Sequence, residues 1–380
     1  MILVKNIEIY GPEYMGIKDV LISGAKIALI EDKIEISSNR IEKIDGSGKK
    51  MIPGFIDQHV HITGGGGEGS FRTRVPEITL SKLTKAGITT VVGLLGTDST
   101  TRSVENLVAK TKALREEGIT AYAITGSYEY PTKTITGCVK KDIAFIDEII
   151  GAKVALSDHR SSSLSNDELA RLASDVRVAA MLSGKAGILT VHMGNGERGL
   201  NPITDVLNNT DIPVRTIRPT HVNRKEELLT QALEYAKMGG IIDLTCGIYK
   251  DLSPARVIMK ADQSGVPLEN ITISSDGYGS WSKYDSSGNM IEIGVSQVDS
   301  LYNEFKTMVQ ELGFDIDKAL AFVTTNVSKA LNLYPQKGTI SEDSDADVLI
   351  IDDNLDIQTV IANGKLMIDD GEILVKGTYE

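Results

Sequence analysis

Between about residue 54 and residue 335, short apolar runs rich in Val and Ile alternate with amphipathic helical patterns. The runs are GFIDQHV, ITTVVGLL, ITAYAITG, AKVALS, GILTVHM, VRTIRPTH, GIIDLTC and NITISSD. Nearly continuous apolar runs of this length are expected of parallel strands buried on both faces. One helix between them is predicted to begin at Ser165, where Glu168 completes a capping box. It places Leu169, Leu172, Ala173 and Val176 on one face and stops near Gly184. Another is predicted to start at Asn223 and Glu226 and to run with Leu228, Leu229, Ala232 and Ala236. Eight such units predict an α/β fold, a (β/α)8 TIM-like barrel over residues 54–335. A doubly wound open sheet is the competing topology, but no Gly-x-Gly-x-x-Gly turn follows an early strand.

The two ends of the chain read differently. ILVKNIEIY alternates, DVLISGAKIALIED carries a Gly in its middle, and KIEISS and RIEKIDGSG follow as further strand candidates. The other end repeats the pattern in ADVLIIDD and TVIANGKLMIDDGEILVKG, where Asn363-Gly364 and Asp370-Gly371 signal hairpins. A small β-sandwich domain assembled from both termini, residues 1–53 plus 336–380, is therefore expected.

The length of 380 residues suits one large domain plus such a module. The net charge of −12 argues against nucleic acid or an anionic membrane as a partner. Cys138 and Cys246 are the sole cysteines, which fits a reducing compartment and excludes a disulfide framework. The start, MILVKNIEIYG, lacks the shape of a signal peptide, and no run reaches the ~20 apolar residues of a membrane span. A soluble, cytoplasmic protein is expected.

Four of the five histidines stand at or beside predicted strand ends. His59 and His61 form a His-x-His pair after the first strand; residues two apart in a strand share a face. His192 ends the fifth strand, His221 the sixth, and Asp276 the eighth, while Lys153 lies in the fourth. Reacting groups of a (β/α)8 barrel project from these C-terminal ends. A lone histidine is usually an ordinary core or surface residue; four together with a carboxylate form a metal-type set, suited to zinc with a position left open for water. Cobalt or manganese can substitute in such a set. His159 is read as a loop residue without a role. Lys153 has two readings. It snorkels out at the strand end, or burial depresses its pKa and the free amine takes up CO2 to become an anionic ligand between two metals. The run Gly64 to Gly67 lacks the Lys-Ser/Thr ending of a phosphate loop. It is either a flexible loop or backbone that approaches a ligand closely.

His59-x-His61, Lys153, His192, His221 and Asp276, in this strand order, resemble the amidohydrolase superfamily in its binuclear, carbamylated-lysine form. Within it, GGGGEG, GLLGTDS, ITGSYEYP, GAKVALSDHRSS, VHMGNG, RPTHVNR and SSDGYGS resemble the isoaspartyl dipeptidases, with no departure at the matched positions. The resemblance spans the chain and implies a metal-dependent hydrolase acting on small β-aspartyl dipeptides. It implies one metal held by His59, His61 and Asp276, a second by His192 and His221, and carbamylated Lys153 between them. It assigns Glu68 to the substrate ammonium, helped by Gly66 and Thr97. Arg160 and Arg224 go to carboxylate, with Ser280 as a further contact, and Tyr128 to the scissile carbonyl. It implies a shared hydroxide as nucleophile, with Asp276 as general base and then acid, and a homo-oligomer, an octamer by family habit. A substrate with one ammonium and two carboxylates does need one anion and paired cationic donors. A ring amidohydrolase of the dihydroorotase or hydantoinase type is the nearest alternative. A one-metal deaminase and a scaffold that has lost catalysis are more distant ones.

Overall fold

The computed structural model describes residues 1–247 and 250–380. Eight parallel strands run in chain order around a barrel: Phe55–Val60, Ile88–Gly93, Thr120–Gly126, Ile149–Leu156, Ile188–Met193, Ile217–Thr220, Ile242–Thr245 and Ile271–Ser274. Apart from Thr120 and Tyr122, every residue in them is buried, which is why their sequences are apolar throughout instead of alternating. The eighth strand returns to the first. Val60 bridges Gly277 at one end. At the other, the carbonyls of Phe322 and Val323 accept from Ile273 and Ile56.

The crossover helices pack outside. In Asn166–Ser183 the Ser165–Glu168 capping box is formed in both directions, and Gly184 ends the helix at φ 69°. Leu169, Leu172, Ala173 and Val176 are buried on its inner face. Each large aliphatic side chain so buried contributes about 1.5–3 kcal/mol. The cap is worth about 1 kcal/mol, so the apolar face holds the helix and the cap sets its register. The next-but-one helix differs from expectation. It spans Glu226–Lys237, and Asn223 is not part of its start. Asn223 lies in the short 3-10 turn Val222–Arg224, where its buried amide donates to the carbonyls of Thr245 and Leu252 at 2.9 and 2.8 Å. A buried amide must find such partners, and here they tie the loop after the sixth strand to the seventh.

The two termini form one nine-stranded sheet. Lys50–Pro53 pairs antiparallel with Val348–Ile351 and so joins the two ends of the chain. Along that second strand, Val348 and Ile350 enter the sheet's own core, while Leu349 and Ile351 pack into the barrel's cluster. The period of two thus serves both cores at once. Asn363-Gly364 and Asp370-Gly371 turn with positive φ at both residues, the geometry of type I′ hairpins. KIEISS forms no strand. Ile34 is buried, and its N–H donates to the Asp19 carboxylate at 2.8 Å instead of to a neighbouring strand. A two-stranded hairpin, Ser280–Tyr284 with Met290–Val295, follows the eighth barrel strand. Among the described residues no helix is long and apolar enough to cross a membrane.

Candidate metal centre

The C-terminal ends of the barrel strands gather all six candidate ligands, His192 in the fifth strand among them. His59 lies in the first strand and His61 just beyond it; Lys153 lies within the fourth. His221 follows the sixth strand and Asp276 lies two residues past the eighth. Both adopt left-handed backbone, φ 61° and 52°, which His and Asp tolerate better than most residues. This ends each strand abruptly and turns the side chain into the mouth. Asp276 Oδ1 lies 3.1 Å from His61 Nε2 and 3.4 Å from His59 Nε2. One ligand atom each from His59, His221 and Asp276 fit within 4.8 Å of one another. A Cβ at Gly279 would stand 2.6 Å from Asp276 Oδ1 and 2.9 Å from the His61 ring, so only glycine lets that loop close over the pair.

Burial holds the imidazoles of His59, His192 and His221 well below their ordinary pKa, and lowers that of His61. The Lys153 ammonium is brought down to about 7, also by burial, and its Nζ lies 3.1 Å from His59 Nε2. Burial pushes the Asp276 carboxyl up, but His221 and the hydrogen bond from His61 outweigh it and hold it at about 2. His61 Nδ1 is buried without a partner among the described residues. The mouth therefore gathers nitrogen bases that burial disfavours as cations around one carboxylate. Such a donor set fits divalent zinc-type ions, which supply the positive charge that the nitrogens themselves decline to carry.

His192 joins this group through His221, their ring centroids 4.6 Å apart. Its Nδ1 is 2.6 Å from the Tyr128 hydroxyl and its Nε2 is 3.0 Å from Asp158. Tyr128 follows the third strand, and burial raises its pKa, so the phenol keeps its proton. Asp158 was not singled out by sequence reasoning. The only signal was a carboxylate just past a predicted strand, next to a histidine. That histidine, His159, is exposed, with its ring 4.9 Å from Tyr284.

The candidate substrate residues line the same mouth. Both Glu68 oxygens lie 2.9 Å from Ser280 Oγ, and Oε1 accepts from Thr97 at 3.2 Å. Gly66, Gly67, Glu68 and Thr97 border a cavity of about 250 Å³. Gly66 has φ 77°, backbone that an L side chain rarely adopts. Arg160 is half-ringed by Asp158, with Nε and Nη2 donating at 2.9 and 2.8 Å. Its Nη1 reaches Glu68 at 3.4 Å. The Arg224 Nε is buried with no hydrogen-bond partner among the described residues.

Fold and site together define a metal-dependent hydrolase barrel. The amidohydrolase family matches residues 51–367, and the chain belongs to it. Within that family it is most informatively compared with a beta-aspartyl dipeptidase from Fervidobacterium islandicum AW-1, solved in complex with beta-Asp-Leu. The two share 41% identity over 98% of each chain, with a TM-score of 0.92. A dihydroorotase from Elusimicrobium minutum is 25% identical over 93% of this chain and 88% of that protein. A D-hydantoinase from Thermus sp. shares the fold at 19% identity and a TM-score of 0.72, covering 99% of this chain and 97% of that one.

Proposed function

We propose that the chain hydrolyses the isopeptide bond of β-aspartyl dipeptides. The observation that carries this reading is Glu68, a carboxylate steadied by Ser280 and Thr97 in the same mouth as the histidine cluster and flanked by Arg160. A ring amide needs no ammonium anchor; a free dipeptide does. The likeness to an enzyme solved with beta-Asp-Leu supports the same choice.

In this reading His59 and His61 hold one divalent ion with Asp276, and His192 and His221 hold the other, zinc being the metal the donors suit best. Lys153, its amine freed by burial, would add CO2 with loss of a proton and could then serve as a further anionic ligand for the bound metal. The ions when bound supply Lewis acidity and lower the pKa of water. Glu68 binds the substrate ammonium, with the Gly66 backbone and Thr97 completing the contact. Arg160 and Arg224 pair with carboxylate, the latter through its unmet Nε, and Ser280 adds a polar contact. Asp276, ionised at neutral pH, accepts the proton of the attacking water and passes it to the leaving amine. The Tyr128 hydroxyl donates to the oxygen of the carbonyl as charge develops there.

The test is a substrate panel. The zinc-loaded protein is expected to hydrolyse β-Asp-Leu, to fail on its N-acetylated form, and to leave dihydroorotate and hydantoin intact. The dihydroorotase relative favours the ring amidohydrolase as second reading, and turnover of dihydroorotate without turnover of β-Asp-Leu would establish it.

A further inference from the structure

Asp158 lies two residues beyond the fourth barrel strand, and its side chain is only 3% exposed. Two different parts of the mouth meet on its carboxylate. Oδ1 accepts from the Arg160 backbone N–H at 2.8 Å and from Arg160 Nε at 2.9 Å. Oδ2 accepts from Arg160 Nη2 at 2.8 Å and from His192 Nε2 at 3.0 Å. The exposed His159 ring comes within 3.7 Å of Oδ1. Asp158 is thus shared by a candidate metal ligand and a candidate substrate anchor.

The geometry dictates protons. An ionised carboxylate offers no hydrogen, so the hydrogen in its contact with His192 belongs to Nε2. A neutral imidazole protonated at Nε2 has its lone pair at Nδ1. That lone pair receives the Tyr128 hydroxyl at 2.6 Å, on the side of the mouth. The same carboxylate also takes up two of the three guanidinium nitrogens of Arg160. Nη1 is the one left over, and it is the one directed at Glu68.

We propose that Asp158 is a positioning residue that selects the Nε2–H tautomer of His192, making Nδ1 its ligating atom, while holding Arg160 by Nε and Nη2 so that Nη1 is left on the Glu68 side of the mouth. This deepens the β-aspartyl dipeptidase reading and rests on it for the identity of the substrate. Metal retention and carboxylate recognition are thereby fastened to one side chain. A buried carboxylate serving only as an ion-pair partner for Arg160 would leave the His192 tautomer unaffected.

The experiment uses the full-length chain with 15N-labelled histidine, stripped of metal and then titrated with Zn2+. In the wild type, His192 is expected as a single Nε2–H tautomer. D158A is expected to lose that tautomer and to weaken zinc binding by about 10–100-fold. Its KM for β-Asp-Leu should rise about tenfold or more. R160A is expected to raise KM alone, with the tautomer and the zinc titration unchanged. A wild-type His192 carrying its proton on Nδ1 overturns the proposal even if D158A does not fold. So does a D158A protein with the wild-type tautomer and zinc affinity. Should the wild type fail to cleave β-Asp-Leu, the functional reading falls, while the tautomer and zinc titration still decide the role of Asp158.

Discussion

The Lys153 amine lies 3.1 Å from the Nε2 of His59, with both side chains fully buried. Two groups that are both cations in acid can share a dry site only if at least one gives up its proton. The contact therefore marks where a free amine is available at neutral pH, and it orders the expectations for this site.

Replacing Lys153 by Ala should remove the anionic link between two ions. Metal content is expected to fall below two per chain, and kcat/KM by about 10²-fold or more. Short-chain carboxylates such as propionate should restore part of the rate by filling the space. Wild-type metal content and rate in the variant would rule the carbamate out.

The charge on the same lysine should be visible in stability. Its pKa is 10.5 in the unfolded chain and about 7 in the folded one. Between those values the unfolded chain binds the extra proton, so metal-free stability rises with pH and is lost as pH falls toward 7. The slope contributed is up to about 1.4 kcal/mol per pH unit. In CO2-depleted buffer, melting temperatures between about pH 7 and 9 should climb in the wild type and lose that component in Lys153→Met. Equal slopes in the two proteins would mean the amine is not buried as a base.

Asp276→Asn preserves a ligating oxygen and discards the proton acceptor. Zinc content is expected to stay near that of the wild type, with kcat lower by about 10²–10⁴-fold. Retention of near-normal turnover would remove Asp276 from the proton transfers.

Tyr128→Phe should separate two roles of one hydroxyl. That hydroxyl lies 2.6 Å from His192 Nδ1 and competes for its lone pair, so its removal is expected to tighten zinc binding. The loss of a donor to the developing oxyanion is expected to lower kcat by about 10²–10³-fold. Calorimetric zinc titrations beside steady-state kinetics give both numbers. Unchanged kcat would assign Tyr128 to packing.

Much of the scaffold was legible in advance for local reasons. Buried parallel strands announce themselves by unbroken apolar runs. The Ser165–Glu168 cap and the Asn363-Gly364 and Asp370-Gly371 turns are specified by a few adjacent residues. KIEISS misled because alternation reports a half-buried segment but not whether a partner strand is free to pair with it. Asn223 misled because an amide that caps a helix and one that staples two loops look alike in sequence. Of the site, the His59-x-His61 pair was readable from strand periodicity. Asp158 was not, because its importance lies in reaching His192 and Arg160 together, and nothing in its neighbours' order encodes that reach.

What the order of residues determined by itself is the set of parts: alternating strands and helices, nitrogen bases and one acid at strand ends, and two β-rich tails. Hydrophobic periodicity and short-range turn chemistry suffice for that. Only the closed barrel decided which atoms face one another: His61 against Asp276, Lys153 against His59, His192 between a phenol and a carboxylate. Those pairings join residues 34 to 215 positions apart. They exist because strand closure, the left-handed turns at His221 and Asp276, and exclusion of water bring polar groups together where each must satisfy another.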